Sequence, residues 1–187
     1  MTKRSFIPLL ATAAPLLFAL VLGGCGGSPT IESDLGIKGA PDWVNEGTQA
    51  VENPDGRYLY GVGFAAPMND QSLQQSAADG RARAELAKIV STYVDSTLSD
   101  YASASGDTAV STIEQSVKST TQTALSGAKI KGRWADPRTG NIYSFAEMDM
   151  TALDDAITSA TKLSDNFKQY YQNNATANFH RFVETEQ

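Results

Sequence analysis

Ala128-Lys129-Ile130-Lys131-Gly132-Arg133-Trp134, the turn-forming Asp136-Pro137-Arg138-Thr139-Gly140, and then Ile142 to Met150 decide the fold of this chain. Both flanking runs alternate with period two, and Pro and Gly punctuate the space between them, so they read as two strands of an antiparallel hairpin. Counting outward from the turn sets Arg133 opposite Tyr143, Lys131 opposite Phe145 and Lys129 opposite Glu147. One face then collects Ile130, Trp134, Ile142, Ala146 and Met148 and is expected to meet the core. The other carries Lys129, Lys131, Arg133, Tyr143, Phe145 and Glu147, a mixture of cations, rings and a carboxylate. Two unlike faces are expected where helices cover one side of an antiparallel sheet.

Upstream, Tyr58-Leu59-Tyr60-Gly61-Val62-Gly63-Phe64 is aromatic and β-branched and reads as a third strand, its glycines suggesting close backbone approach. From Ser72 to Tyr101, Ala82, Leu86, Ile89, Val90, Tyr93, Val94, Leu98 and Tyr101 recur at three and four, the spacing of one helix face. Alanines make the first half of this helix narrow enough to lie against a sheet, and Arg81 is placed to pair with Glu85 one turn on. After Gly106-Asp107, Val110, Ile113, Val117, Thr121 and Ala124 repeat the helical spacing, although so many Ser and Thr leave an extended reading open. Downstream, Thr151 with Asp154 three residues on is an acidic variant of a capping box. It opens one long helix through Leu153, Ile157, Ala160, Phe167 and Tyr170 or Tyr171, weakened at Asn173 and Asn174. The expected architecture is α+β: a two-layer domain of an antiparallel three-stranded sheet with long helices on one face.

The N-terminus has a different character. Lys3 and Arg4 precede an almost wholly apolar Phe6–Leu22, the pattern of an export signal, and Leu22-Gly23-Gly24-Cys25 resembles the lipobox of bacterial lipoproteins. That likeness implies cleavage after residue 24, with a diacylglycerol on the Cys25 thiol and an acyl chain on its freed amine. Two or more chains make such an anchor durable. Gly26 stands where an Asp commonly retains enteric lipoproteins at the inner membrane, so the expected location is the periplasmic face of the outer membrane. Residues 25–40 are polar and glycine-rich and read as a flexible tether, leaving 41–187 as a single domain.

Charge and composition exclude several classes of function. The whole chain has a formal charge of −6, and losing Lys3 and Arg4 makes the mature form more acidic still, the wrong sign for nucleic acid. A single Cys allows no internal disulfide and no Cys-pair metal site. Gly61-x-Gly63 lacks the third glycine of a dinucleotide loop, since position 66 is Ala66 and Pro67 follows. His180, the only His, lies near the C-terminus and is expected at the surface. Asp154-Asp155 are better explained as acids in a helix's first turn than as ligands or catalysts. No catalytic residue, metal ligand or cofactor is expected beyond the covalent lipid, and no enzymatic activity.

Pro41-Asp42-Trp43-Val44, Tyr60-Gly61-Val62-Gly63, the Ala- and Arg-containing helix Ala77–Ala87 and the Asn141–Ala146 strand, in this order after a lipobox, resemble the LPP-twenty lipoprotein family. The family is typified by the twenty-kilodalton outer-membrane lipoprotein of Helicobacter. The likeness covers roughly Pro41 to Phe167 and implies an outer-membrane lipoprotein without known catalysis. Some relatives, FlgP-like, build rings or discs around the flagellar motor. The expected function is therefore a binding or structural role in the envelope, with a flagellar ring component as its specific version and a small-ligand carrier or enzyme as the alternative. The Lys129, Lys131, Arg133, Tyr143, Phe145 and Glu147 face is the candidate interaction surface, for another copy, an envelope protein or peptidoglycan. On this reading Arg133→Glu with Tyr143→Ala weakens assembly without unfolding the domain.

Overall fold

In the computed structural model, which describes residues 36–51, 53, 56–105 and 110–186, the alternating segments pair as expected. Strands β1 (Tyr58–Ala65), β2 (Lys129–Ala135) and β3 (Ile142–Asp149) form one antiparallel sheet in the order β1-β3-β2. Five α-helices accompany it among the described residues, α1 (Asp42–Asn45), α2 (Gln71–Ser105), α3 (Val110–Leu125), α4 (Thr151–Ser159) and α5 (Asp165–Glu186), with a short 3-10 helix at Gly47–Ala50. The fold is α+β. The signal, the Leu22-Gly23-Gly24-Cys25 motif and most of the tether lie outside the described residues.

α2 lies along β1 because two strand positions have no side chain. A Cβ on Gly61 would stand 2.4 Å from the Ala82 carbonyl oxygen, and one on Gly63 would stand 2.3 Å from the Ala82 amide nitrogen. Ala78 and Ala82 are fully buried in return, and Leu86 and Val90 continue the contact over Leu59, Ala146 and Met148. Asp70 starts the helix, its Oδ1 accepting from the amides of Ser72 (2.8 Å) and Leu73 (3.1 Å). At about 1.5 Å per residue its 35 residues reach about 52 Å, roughly twice the length of an eight-residue strand. Its second half therefore leaves the sheet and joins α3 and α5, which α4 contacts in turn. There Tyr93 meets Phe179 and Phe182 edge-on, and Tyr101 does the same with Phe167 and Tyr170. One continuous core links this helical layer to the sheet.

Four local expectations change. The hairpin holds a β-bulge between Ile130 and Gly132, so Lys129 faces Glu147 as expected, but Gly132 faces Phe145, Arg133 faces Ser144 and Trp134 faces Tyr143. One extra residue exchanges the faces of everything beyond it: Arg133 turns to the helix side and Trp134 to the open side. The last helix is two, broken at Ala160 (ψ 119°), and it restarts where the Ser164 hydroxyl accepts from the Phe167 amide. α5 then runs through Asn173 and Asn174, because buried Tyr171, Ala175, Phe179 and Phe182 outweigh their poor propensity. Asp154 does not cap α4. The N-cap position is Met150, with no side-chain cap; Asp149 accepts from the amide and hydroxyl of Thr151, while Asp154 pairs with Arg57 and accepts from the Tyr171 hydroxyl. Arg81 leaves Glu85 to Lys88 and donates to the Phe64 carbonyl at 2.6 Å. The Ser/Thr-rich segment is helix α3, with Ile113, Val117, Thr121 and Ala124 inward.

Candidate functional site

The sheet face away from α2 is built in rows across the three strands. Phe64, Tyr143 and Trp134 form the first row, Val62, Phe145 and Gly132 the second, and Tyr60, Glu147 and Lys129 the third. In the first row the rings are in contact, with centroids 5.5 Å apart from Phe64 to Tyr143 and 5.7 Å from Tyr143 to Trp134. The second row lacks a side chain at Gly132, and Trp43 of α1 fills the gap. Its Cζ2 lies 3.9 Å from where a Gly132 Cβ would be, and its ring is 5.4 Å from Phe145. An aromatic ring laid over a strand glycine restores packing that the missing side chain would have supplied. Tyr60 stacks on the same Phe145 at 5.1 Å. Trp43 and Tyr60 thus bury Phe145, whereas Phe64 in the first row stays open to solvent.

Polar groups edge this surface. Lys131, the extra residue of the bulge, reaches Glu147 at 3.1 Å, and Tyr60 donates to Asn53 Oδ1 at 3.1 Å. Burial pushes the Tyr60 phenol above its ordinary pKa, and the Glu147 and Tyr58 charges push the same way. It is therefore a neutral hydrogen-bond donor at physiological pH. Of the six residues proposed from the hairpin, Lys129, Lys131, Tyr143, Phe145 and Glu147 share this face. Arg133 does not. Its Nε and Nη2 donate to the two oxygens of Asp79 on α2 at 2.8 and 2.6 Å, and the Ser144 hydroxyl donates to Asp79 Oδ1 at 2.7 Å. Hydrogen bonds from Arg133 hold the Asp79 carboxyl below the usual range against the opposing effect of burial, with Ser144 assisting. This cluster fastens the hairpin to the helix.

Four surface residues escaped the hairpin reading: Phe64, Tyr60, Trp43 and Trp134. A signal for the first two was present, because glycines at 61 and 63 that admit a helix leave Tyr60, Val62 and Phe64 on the opposite face. Nothing local marks Trp43 as the cover for Gly132. His180 is exposed on α5. Grooves between helices offer less. One of about 140 Å³ between α2 and α3, lined by Val94, Asp95, Lys118 and Thr121, is below the roughly 300–1,000 Å³ of small-molecule sites. A depression of about 530 Å³ beside Thr112, Ser116, Thr120 and Lys162 opens broadly to solvent. No family model matches the chain, and no match to a curated protein is found.

Proposed function

We propose that this chain is an outer-membrane lipoprotein whose periplasmic domain acts by binding or assembly rather than by catalysis. The observation that carries the reading is Leu22-Gly23-Gly24-Cys25 at the end of a basic and then apolar leader, followed by a glycine-rich tether. Gly26, in place of an inner-membrane Asp, supports the outer membrane as the destination. The likeness of Pro41–Phe167 to the LPP-twenty family agrees with it. The aromatic sheet face, with the exposed Phe64 and half-buried Tyr143 and Trp134 at one end and Lys129, Lys131 and Glu147 at the other, is the surface best suited to carry the binding role, since accessible rings are strong anchors.

Metabolic labelling with an alkyne fatty acid, followed by membrane fractionation, tests this directly. The wild-type chain should take up label and sediment with the outer membrane, and Cys25→Ser should do neither. Label on Cys25→Ser, or a wild-type chain free of label, would overturn the proposal.

A further inference from the structure

We infer that the outer end of the aromatic sheet face rests on the phospholipid surface itself, with Phe64, Met68 and Leu73 at the boundary between headgroups and acyl chains. The inference rests on the lipid-anchor reading above and adds an orientation to it. Among the described residues the exposed large apolar side chains are Phe64 (48%), Met68 (39%) and Leu73 (59%), and all three fall within ten residues joining β1 to α2. Exposed apolar side chains concentrated in this way mark an interaction site. The stretch is firmly held. Gln74 donates to the carbonyls of Ala65 (3.1 Å) and Gly140 (2.8 Å), and Pro67 packs against Gly140 of the β2–β3 turn.

Its chemistry suits a bilayer. Phe, Met and Leu lie at the tip, and the Phe64–Tyr143–Trp134 row adds the amphipathic rings favoured at the water–lipid boundary. Arg138, exposed on the adjoining turn and only loosely paired with the buried Asp136 at 3.9 Å, and Arg81, which spends one nitrogen on the Phe64 carbonyl, keep donors for lipid phosphates. The nearby Asp70 carboxylate is already engaged in capping α2.

The tether points to lipid as the occupant. Asn45 of α1 holds both the amide and the carbonyl of Ile37, two residues from the Trp43 that covers the second row. Ile37, near the start of the described residues, is thus tied to the helix that covers the open side of the sheet. Ile37 lies twelve positions after Cys25, a root-mean-square span of about 20 Å and about 40 Å at full stretch. A surface held that close meets the bilayer at high effective concentration, so a weak intrinsic affinity suffices.

Cys25 is the only Cys, so in the acylated protein Met68→Cys provides a single free thiol for an environment-sensitive fluorophore. A second protein, Ser99→Cys on the exposed side of α2, serves as the distant control. Each is reconstituted through its own lipid into vesicles of phosphatidylethanolamine and phosphatidylglycerol, with or without brominated acyl chains. The label at position 68 should shift to the blue and lose emission in brominated vesicles, while the label at 99 stays aqueous. Adding Phe64→Ser and Leu73→Ser should return the first label to water without loss of acylation. Matching aqueous signals from both positions in acylated, vesicle-bound protein would overturn the docking inference and leave the anchor standing. Shielding of position 68 only on adding outer-membrane proteins would overturn it in favour of a protein partner. A protein of unacylated mass would refute the anchor and, with it, the docking.

Discussion

Gly63→Ala should be among the most damaging single-methyl additions this domain can receive. The new Cβ would stand 2.3 Å from the Ala82 nitrogen and 2.6 Å from the Arg81 carbonyl carbon, both backbone atoms of α2 that no rotamer change can move. Restoring an ordinary contact of about 3.5 Å requires the helix to retreat by about 1 Å. Gly63 has no positive φ, so the penalty is one of space and not of backbone conformation. A gap of that size forfeits up to about half the dispersion energy of each contact it opens, here those of Ala78, Ala82 and Leu86 against the sheet. Overpacking typically costs about 1–3 kcal/mol, and a rigid backbone obstacle sets the expectation at the upper end, about 3 kcal/mol. For a domain of this length that lowers Tm by roughly 6–12 °C. Gly80→Ala, about half a turn away on the outer side of α2 with nothing within 4 Å of its added methyl, should instead stabilise by about 0.5–1 kcal/mol. Urea unfolding followed by circular dichroism measures both. A Gly63→Ala protein within about 0.5 kcal/mol of wild type, with an unchanged m-value, would refute the claim that these glycines set the helix–sheet distance.

Arg133→Glu, which the uninterrupted hairpin made a surface change, should destabilise by about 2–4 kcal/mol, because it sets a second carboxylate against the buried Asp79. Asp79→Asn with Arg133→Met should recover much of that loss in the same urea assay. The lowered Asp79 pKa fixes a pH dependence. Its contribution is complete above the unfolded carboxylate value of about 3.9 and is lost as pH falls through the lower folded value. The stability difference between wild type and Asp79→Asn should therefore be flat from pH 7 to about 5 and shrink below about 4, and a difference that grew with acid would contradict the assignment. Trp43→Ala should cost about 2 kcal/mol and raise binding of a hydrophobic dye, since it uncovers Phe145 and the gap at Gly132.

Period-two and period-3.6 patterns were enough to find three strands, the long helix under the sheet and the α+β class, because burial on one side writes those periods into the side chains. The glycines of β1 announced close approach, and Gly61 and Gly63 are where the helix touches. The break between α4 and α5 was partly legible in Ser164, which caps the second helix, but continuous apolar spacing across it masked the stop. Asp154 was misread because a capping box is a local rule, and its actual partners, Arg57 and Tyr171, are distant in the chain.

The amino-acid sequence by itself determined the three strands, the long helix against them and where a lipid is proposed to be attached, because each of these is written in a local period or motif. Tertiary structure alone decided which way the end of β2 faces. Alternation carries no mark of an inserted residue, and the bulge at Lys131 forms where Arg133 finds Asp79 and Ser144 on the helix side, Trp134 finds Tyr143 on the other, and Trp43 covers Gly132. A single unpaired residue thus moved the arginine out of the candidate surface and a tryptophan into it, because in a strand a shift of one position exchanges the two faces.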